Sequence, residues 1–202
     1  MKKMILTFVF CSLCFFITQA QKFHGGLFAG VAASQISGDN LSGFNKPGVF
    51  AGAFTNIFFK EKYGLELELY YVQKGSRKIF KNDYSYTYKL NLQYFEMPIL
   101  FKFKFFKRFY LEAGPALGVL IKNTGVEKDG NGLVPNSQRP AFNRLDYSAL
   151  GGLGFRFARH FLVDLRAQSS FIPVRKPQPN TTWHLDRWQY NSSIIISFIY
   201  EI

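Results

Sequence analysis

A run of period-two alternation from Phe95 to Ile121 constrains the fold of this chain more than any other feature. Its sequence, FEMPILFKFKFFKRFYLEAGPALGVLI, contains two alternating stretches on either side of a tight aromatic and basic turn. Because successive side chains of a β-strand point to opposite faces, the alternation predicts two antiparallel strands. One face is apolar and the other carries Glu, Lys and Gly, so we interpret the pair as part of a wall between two different environments.

Similar alternation recurs along the chain and predicts eight strands of about ten residues, the length that crosses a bilayer when tilted. The predicted strands run over Phe23–Ile36, over Gly48–Phe58, from Tyr63, from about Leu90 to the turn KFFKR, from that turn to Ile121, over Leu145–Phe157, over Phe161–Phe171 and from Trp188 to the C terminus. Their connections alternate between long and short, which is typical of outer-membrane barrels with short periplasmic turns. We therefore predict an all-β fold, an eight-stranded antiparallel up-and-down transmembrane β-barrel in the outer membrane of a Gram-negative bacterium.

The N terminus has the pattern of an export signal. A basic pair is followed by a short apolar core from Ile5 to Ile17 and by a small-x-small site that ends at Ala20. We expect cleavage before Gln21, with residues 1–20 as the signal peptide and residues 21–202 as the barrel domain. Both cysteines lie in the predicted signal, so the mature chain would have neither a disulfide nor a thiolate metal site.

The chain is strongly basic, and this predicts anionic partners. The formal charge is +12, and removal of the two lysines of the predicted signal leaves about +10. Export makes nucleic acid an unsuitable partner, whereas lipopolysaccharide phosphates lie at the outer surface and bind Arg and Lys well. The candidate contacts in the long loops are Arg77, Lys78, Lys81, Arg175 and Lys176. These residues are equally compatible with solvated loops that carry surplus charge.

The face opposite the apolar one carries charges of both signs. These residues, five carboxylates and four cations, are Glu66, Glu68, Glu96, Lys102, Lys104, Glu112, Arg156, Asp164 and Arg166. An eight-stranded barrel is just wide enough for side chains to fill it, so the near balance predicts a salt-bridge network that closes the lumen. Glycines on the same face (30, 52, 114, 118, 152 and 154) would make room for the long side chains. A narrow porin is the alternative, and paired carboxylates could also suggest acid–base catalysis.

Aromatic residues cluster at the three predicted short turns, as in the girdles of outer-membrane barrels. An aromatic soluble core is the alternative interpretation. The predicted topology places His24 and His160 at one end of the barrel and His184 at the other. These histidines could then form neither a shared metal site nor a Ser-His-acid set, so we expect a non-enzymatic protein without a cofactor.

One segment interrupts the alternation. Tyrosines and leucines from Tyr84 to Tyr94 occupy even positions, whereas the apolar residues from Phe95 to Phe103 occupy odd positions. Either a β-bulge near Tyr94 and Phe95 reverses the facing, or the even-numbered residues line the inside of a strand that extends past the membrane.

Several sequence pieces resemble the PorT-like outer-membrane β-barrel family of Bacteroidetes. They are GLFAGVAASQISGD, KPGVFAG, LELELYYVQKG, YFEMPILFKFKF, YLEAGPALGVLI and LGGLGFRF, and they span nearly all of the mature chain. The resemblance implies an eight-stranded barrel, and the namesake of the family supports secretion of cargo proteins across the outer membrane. The terminus IIISFIYEI is similar to the signal read by the barrel assembly machinery.

From these features we expect a monomeric barrel with a structural or binding role and a side-chain-filled lumen. The expected partners are outer-membrane lipid, lipopolysaccharide and, during insertion, the barrel assembly machinery. The alternatives are a narrow porin and an accessory component of outer-membrane protein secretion that contacts secretion-machinery proteins.

Overall fold

A computed structural model describes residues 23–39, 43–79, 87–129, 132–133, 141–177 and 187–202. The predicted signal peptide, Lys81, Tyr84, Tyr86 and His184 lie outside these residues. The strands of the described residues are β1 Phe23–Ser37, β2 Lys46–Phe58, β3 Tyr63–Ile79, β4 Thr87–Lys104, β5 Phe109–Asp129, β6 Gly132–Leu133, β7 Leu145–Arg156, β8 Phe161–Ser170 and β9 Tyr190–Glu201. No helix in this part of the chain is long and apolar enough to cross a membrane.

Eight of these strands form a closed antiparallel barrel, as predicted. Each pairs with the next along the chain, and β1 pairs with β9 over Gly26–Ser37, which closes the ring. The two-residue strand β6 pairs only with the tip of β5. Closure gives every barrel strand two hydrogen-bonded neighbours, which removes the exposed edges of an open sheet.

The two ends of the barrel differ in the length of their connections. Residues 59–62, 105–108 and 157–160 form tight turns at one end, here called the short-turn end. In one of these turns the amide of Phe157 donates a hydrogen bond to the carbonyl oxygen of Phe161, at 3.2 Å. The strand ends that the remaining connections join lie at the opposite end of the barrel, here called the long-loop end. The alternation of connection lengths is thus confirmed.

The outer surface of the barrel is apolar. Leu67, Ile99, Leu117 and Leu165, which the alternation places on the apolar face, are exposed on the outside. At the short-turn end, a belt of aromatic rings follows the wall. The ring centroids are 5.2 Å apart for Tyr63 and Phe103, 4.8 Å for Phe109 and Phe155, 6.1 Å for Phe157 and Phe161, and 5.4 Å for Phe161 and Tyr200. Tyr110 follows Phe109 at the short-turn end, but its side chain points inward and is buried, so it is not part of this belt.

The interior is divided between an aromatic side and a charged side. On the aromatic side, Phe28 and Phe50 stack at 5.0 Å and Phe50 lies 4.7 Å from Tyr70, so the first three strands supply the rings. The charged side chains project mainly from β3, β4, β5, β7 and β8. The Arg166 guanidinium lies 5.7 Å from the Phe28 ring, where the two sides meet.

The interrupted alternation does not reverse the facing of β4. Leu90, Leu92 and Tyr94 are buried inside, and Phe95 is exposed on the outside, so even-numbered residues point inward along the described strand. The interpretation that these residues line the inside is correct for Leu90, Leu92 and Tyr94. The alternative, a bulge that reverses the facing of β4, is wrong.

A bulge occurs instead in the neighbouring strand β5. Gln93 pairs with Lys122 and Tyr94 pairs with Leu120, which leaves Ile121 as the extra residue. A bulge increases the local twist of the strand that contains it. The bulge therefore lies in β5, opposite Gln93 and Tyr94 of β4, where the sequence pattern changes.

Candidate functional site

The centre of the interior is organised around Arg166, an inward-facing residue of β8. Its Nη1 and Nη2 each donate a hydrogen bond to the Glu68 carboxylate at 2.8 Å. Its Nε lies 2.5 Å from Glu112, and its Nη2 lies 2.9 Å from Asp164. Glu68 is on β3, and three strands separate β3 from β8 in either direction around the barrel. The guanidinium therefore bridges opposite walls of the lumen.

Lys102 forms the second cationic centre. Its Nζ lies 2.6 Å from Glu66 and 3.4 Å from Glu112, and it also lies 4.4 Å from the centroid of the Tyr110 ring. The Tyr110 hydroxyl in turn donates a hydrogen bond to Asp164. We call Glu66, Glu68, Lys102, Glu112, Asp164 and Arg166 the lower cluster, because it lies nearer to the short-turn end.

A smaller set of charges lies nearer to the long-loop end. Lys74 Nζ is 2.6 Å from Glu96 and 3.8 Å from Asp146. We call Lys74, Glu96 and Asp146 the upper cluster. The carboxylate of Glu96 also accepts hydrogen bonds from the Tyr70 hydroxyl at 2.9 Å and from Gln168 Nε2 at 2.7 Å.

Uncharged donors also surround Asp146. The Ser170 hydroxyl donates to its Oδ1 at 2.6 Å, and Asn191 Nδ2 donates to its Oδ2 at 2.7 Å. Gln168 also donates to the Ser148 hydroxyl at 2.8 Å. The upper cluster is thus a mixed network in which neutral side chains make most of the contacts to the two carboxylates.

The inward glycines make room for these long side chains. A Cβ at Gly154 would overlap the phenol ring of Tyr110, and one at Gly152 would lie 2.9 Å from Cγ of Arg166. A Cβ at Gly118 would lie 3.1 Å from the Glu96 carboxylate. Larger residues at Gly118, Gly152 and Gly154 would displace these side chains, so these three glycines have the spatial role that the sequence predicts. A Cβ at Gly30, Gly52 or Gly114 would instead meet neighbouring backbone and uncharged side chains.

Two residues of the predicted network lie outside both clusters. Lys104 is at the short-turn mouth, with its Nζ 3.5 Å from the centroid of the Phe58 ring. Arg156 is at the same mouth, partly exposed, and its Nη2 pairs with Glu201 at 2.7 Å. Their place on the inward face is as predicted, but they lie too near the end of the barrel to join the central charges.

The predicted near balance of charge is wrong for the buried clusters. Six carboxylates (Glu66, Glu68, Glu96, Glu112, Asp146 and Asp164) accompany three cations (Lys74, Lys102 and Arg166), and all are at most 5% exposed. The lower cluster alone holds four carboxylates and two cations. Carboxylates therefore exceed cations in each cluster, and the remaining carboxylate oxygens depend on neutral donors.

Lys74 and Asp146 are absent from the predicted network, although the sequence contains a signal for both. Lys74 continues the inward parity of Glu66 and Glu68, but it lies in the polar stretch that follows the apolar alternation of β3, where the sequence does not show that the strand continues. Asp146 shares the parity of Gly152 and lies one residue inside the start of β7. Extending each alternation to the true end of its strand would have identified both residues.

The candidate surface cations do not share one environment. Arg77 and Lys176 are exposed, whereas Lys78 is half-buried and has an interaction partner. Arg175 is buried, with its guanidinium 4.5 Å from the centroid of the Phe142 ring. Its assignment as a surface contact is therefore wrong, because the side chain packs inside the long-loop end.

The described histidines are both at the short-turn end. His160 Nδ1 lies 2.8 Å from the carbonyl oxygen of Glu201, which links the last turn to the end of β9. Within the described ranges, no group of three or more His, Cys, Asp or Glu side chains is arranged to hold a metal ion. The lumen clusters consist of mutually paired side chains.

Comparison with known proteins identifies the family of the fold. Residues 19–175 match the model of the family described as outer membrane protein beta-barrel domain. No curated protein is similar enough in sequence to count as a match. One similar solved structure is that of Ail, the attachment invasion locus protein of Yersinia pestis, in complex with the heparin analogue sucrose octasulfate. The two sequences are 12% identical, the match covers 90% of this chain and 99% of that chain, and the TM-score is 0.49. Neisserial surface protein A is similar with 11% identity, 88% and 96% coverage, and a TM-score of 0.49.

Proposed function

We propose, from the premise that this chain belongs to the outer membrane protein beta-barrel domain family and lies in the outer membrane, that it is a non-enzymatic structural or binding protein with a closed lumen. The observation that carries this proposal is the position of Arg166. Its guanidinium joins β8 to β3 and β5, so one side chain obstructs the middle of the barrel. Above it, Gln168 and Lys74 reach Glu96 from opposite walls, which obstructs a second level.

Single-channel conductance of the refolded protein in planar bilayers tests the closed lumen. The wild-type protein should conduct little, because ions would have to pass two levels of paired side chains. Shortening both Arg166 and Lys102 to Ala should raise the conductance if the variant still folds, which heat-dependent mobility on a gel would show. Lys176→Gln, an exposed change outside the lumen, is the matched control. A large and steady wild-type conductance would reject the plug and favour the narrow porin.

Accessory participation in protein secretion is the second candidate, and it rests on the PorT-like resemblance. The most distinctive resembling pieces are YFEMP and EAGP, which contain Glu96 and Glu112. Both carboxylates point into the lumen and belong to the ion-pair clusters. These pieces therefore have an explanation in the interior of the barrel that requires no partner. Co-purification with secretion-machinery proteins from native membranes would favour the second candidate over the first.

We propose lipopolysaccharide as the partner at the long-loop end. Arg77 and Lys176 are exposed there, and their positive charges suit phosphate groups. Lipopolysaccharide co-purified with the barrel should decrease in the Arg77→Gln, Lys176→Gln double variant. Arg108→Gln at the short-turn end provides the control, and an equal decrease in both variants would contradict the assignment. We also propose that the barrel assembly machinery contacts β9, the strand that closes the ring, while the protein is inserted into the membrane.

A further inference from the structure

The outer wall near the short-turn end contains an apolar groove of about 480 Å³ across β1, β2, β8 and β9. Ala29 and Ala51 are directly paired and form its floor. Phe161, Phe198 and Tyr200 line one side of it. Phe198 is 66% exposed, so its ring projects from the wall beside two of the smallest side chains of the outer surface.

The groove results from the register of the strands. Ala29 pairs with Ala51 on one side and with Phe198 on the other, which places a large ring next to a pair of methyl groups. Leu27 is the next outward-facing residue of β1 toward the short-turn end, and it pairs with Tyr200. A step in height therefore follows the β1–β9 seam along the strands.

The position of the groove decides its occupant. The surrounding wall is apolar and lies in the hydrocarbon region, so a lipid chain can fill the groove without loss of any hydrogen bond. The short-turn end is the periplasmic end in this architecture, which places the groove in the inner, phospholipid leaflet. An acyl chain in this groove would have its headgroup level with the turn at residues 157–160.

That turn presents positive charge beside the groove. Arg159 is exposed and lies two residues before Phe161, which lines the groove. The Arg159 carbonyl oxygen accepts a hydrogen bond from Arg156 Nη1 at 2.8 Å, which fixes the turn, while Arg156 Nη2 pairs with Glu201. The other two short turns contribute further basic side chains, Lys60, Lys62, Lys107 and Arg108. The short-turn end is thus complementary to phosphate.

We propose that the groove over Ala29 and Ala51 binds one acyl chain of an anionic phospholipid, whose phosphate is held by the turn that contains Arg159. The site goes beyond the role proposed for the closed lumen and does not depend on it.

Native mass spectrometry of the mature protein in mild detergent tests the site. The probes are phosphatidylglycerol and phosphatidylcholine with identical acyl chains. One lipid should remain bound, and phosphatidylglycerol should be favoured by about fivefold, the effect of one basic side chain near an anionic lipid. Ala51→Leu fills the groove and should remove the retained lipid. Ala167→Leu, the same change at an outward-facing residue of β8 that does not line the groove, is its control.

The headgroup is tested separately. Arg159→Gln should abolish the preference for phosphatidylglycerol and leave the retention of phosphatidylcholine unchanged, whereas Arg144→Gln at the long-loop end should alter neither. Each of the four substitutions replaces an apolar side chain by an apolar one or a polar side chain by a polar one. Heat-dependent gel mobility verifies that each variant folds. Equal retention of lipid by Ala51→Leu and Ala167→Leu overturns the groove, and equal retention of the two wild-type lipids overturns the phosphate contact. A lipid-free dimer in place of the lipid-bound monomer would show that a second copy covers the groove and would also overturn the proposal.

Discussion

The lower and upper clusters accommodate buried carboxylates in different ways. In the lower cluster, four carboxylates share Arg166 and Lys102 through direct ion pairs. In the upper cluster, two carboxylates share Lys74, and neutral donors such as Tyr70 and Gln168 make most of the remaining contacts. The difference indicates that stability in the lower cluster depends on two side chains, whereas in the upper cluster it is distributed over many.

The physical reason is the cost of an unpaired charge away from water. Removal of one partner from a buried pair leaves the other charge without compensation, and this loss is larger than that of a neutral hydrogen bond. In the lower cluster a single guanidinium contacts Glu68, Glu112 and Asp164. In the upper cluster, loss of the Lys74 ammonium would leave Glu96 with two other donors, Tyr70 and Gln168. Cations should therefore matter more in the lower cluster.

The largest expected effect is that of Arg166→Ala. Because three carboxylates lose their shared partner, the free energy of unfolding should fall by roughly 3–5 kcal/mol. Lys74→Ala should lower it by roughly 1–3 kcal/mol, since hydroxyl and amide donors to Glu96 and Asp146 remain. Urea unfolding of the barrel refolded in lipid vesicles measures both values.

An exposed arginine provides the control for these two variants. Arg144 is exposed and immediately precedes β7, and its replacement by Ala should change the free energy of unfolding by less than about 0.5 kcal/mol. Equal losses for Arg166→Ala and Lys74→Ala would show that the two clusters hold their charges in the same way, contrary to the comparison.

The sequence predicted the fold and the facing of the strands correctly because both depend on a period of two. Once Phe95 and Glu96 are assigned to opposite faces, the closed barrel follows from repetition of the same pattern. The inward glycines follow as well, since a lumen filled by long side chains requires small neighbours. These predictions need no knowledge of where along the barrel axis a residue lies.

Membership of the clusters could not be predicted in full, because parity gives the face of a side chain but not its depth. Lys104 and Arg156 have the correct parity but lie at the mouth, where Phe58 and Glu201 are their partners. Lys74 lies deep in the lumen because β3 continues past Tyr71. Depth depends on strand tilt and on true strand ends, and polar residues such as Lys74 obscure those ends in the sequence.

A smaller effect than that of Arg166→Ala is expected from Tyr70→Phe, which tests the neutral donors of the upper cluster. The change removes the hydroxyl that donates to Glu96 at 2.9 Å and leaves the ring packed against Phe50. Loss of a hydrogen bond to a charged group should lower the free energy of unfolding by roughly 1.5–3 kcal/mol. Tyr71→Phe, on the outer surface of the same strand, removes only a neutral hydrogen bond from Gln73 Nε2 at 2.9 Å and should have a smaller effect. If both variants unfold at the same urea concentration, the neutral donors do not support the upper cluster.

The smallest effect is expected from Glu112→Gln, which tests the excess of carboxylates. Glu112 is one of four carboxylates around two cations, and Lys102 keeps its closer partner Glu66 at 2.6 Å. A glutamine oxygen can still face Arg166 Nε, but the amide nitrogen would then replace the oxygen that lies 3.4 Å from Lys102 Nζ. The change therefore removes surplus negative charge and the weaker of the two Lys102 ion pairs. We expect the free energy of unfolding to change by about 1 kcal/mol or less, in either direction.

The same substitution in the upper cluster gives the matched comparison. Glu96 is the near partner of Lys74, whose other carboxylate, Asp146, is 3.8 Å away. Glu96→Gln should therefore leave the Lys74 ammonium poorly compensated and lower the free energy of unfolding by roughly 1–3 kcal/mol. The two variants are isosteric with the wild type and differ only in which cluster loses a charge. A greater loss for Glu112→Gln than for Glu96→Gln would mean that each carboxylate of the lower cluster is needed, and that its negative charges are not in surplus.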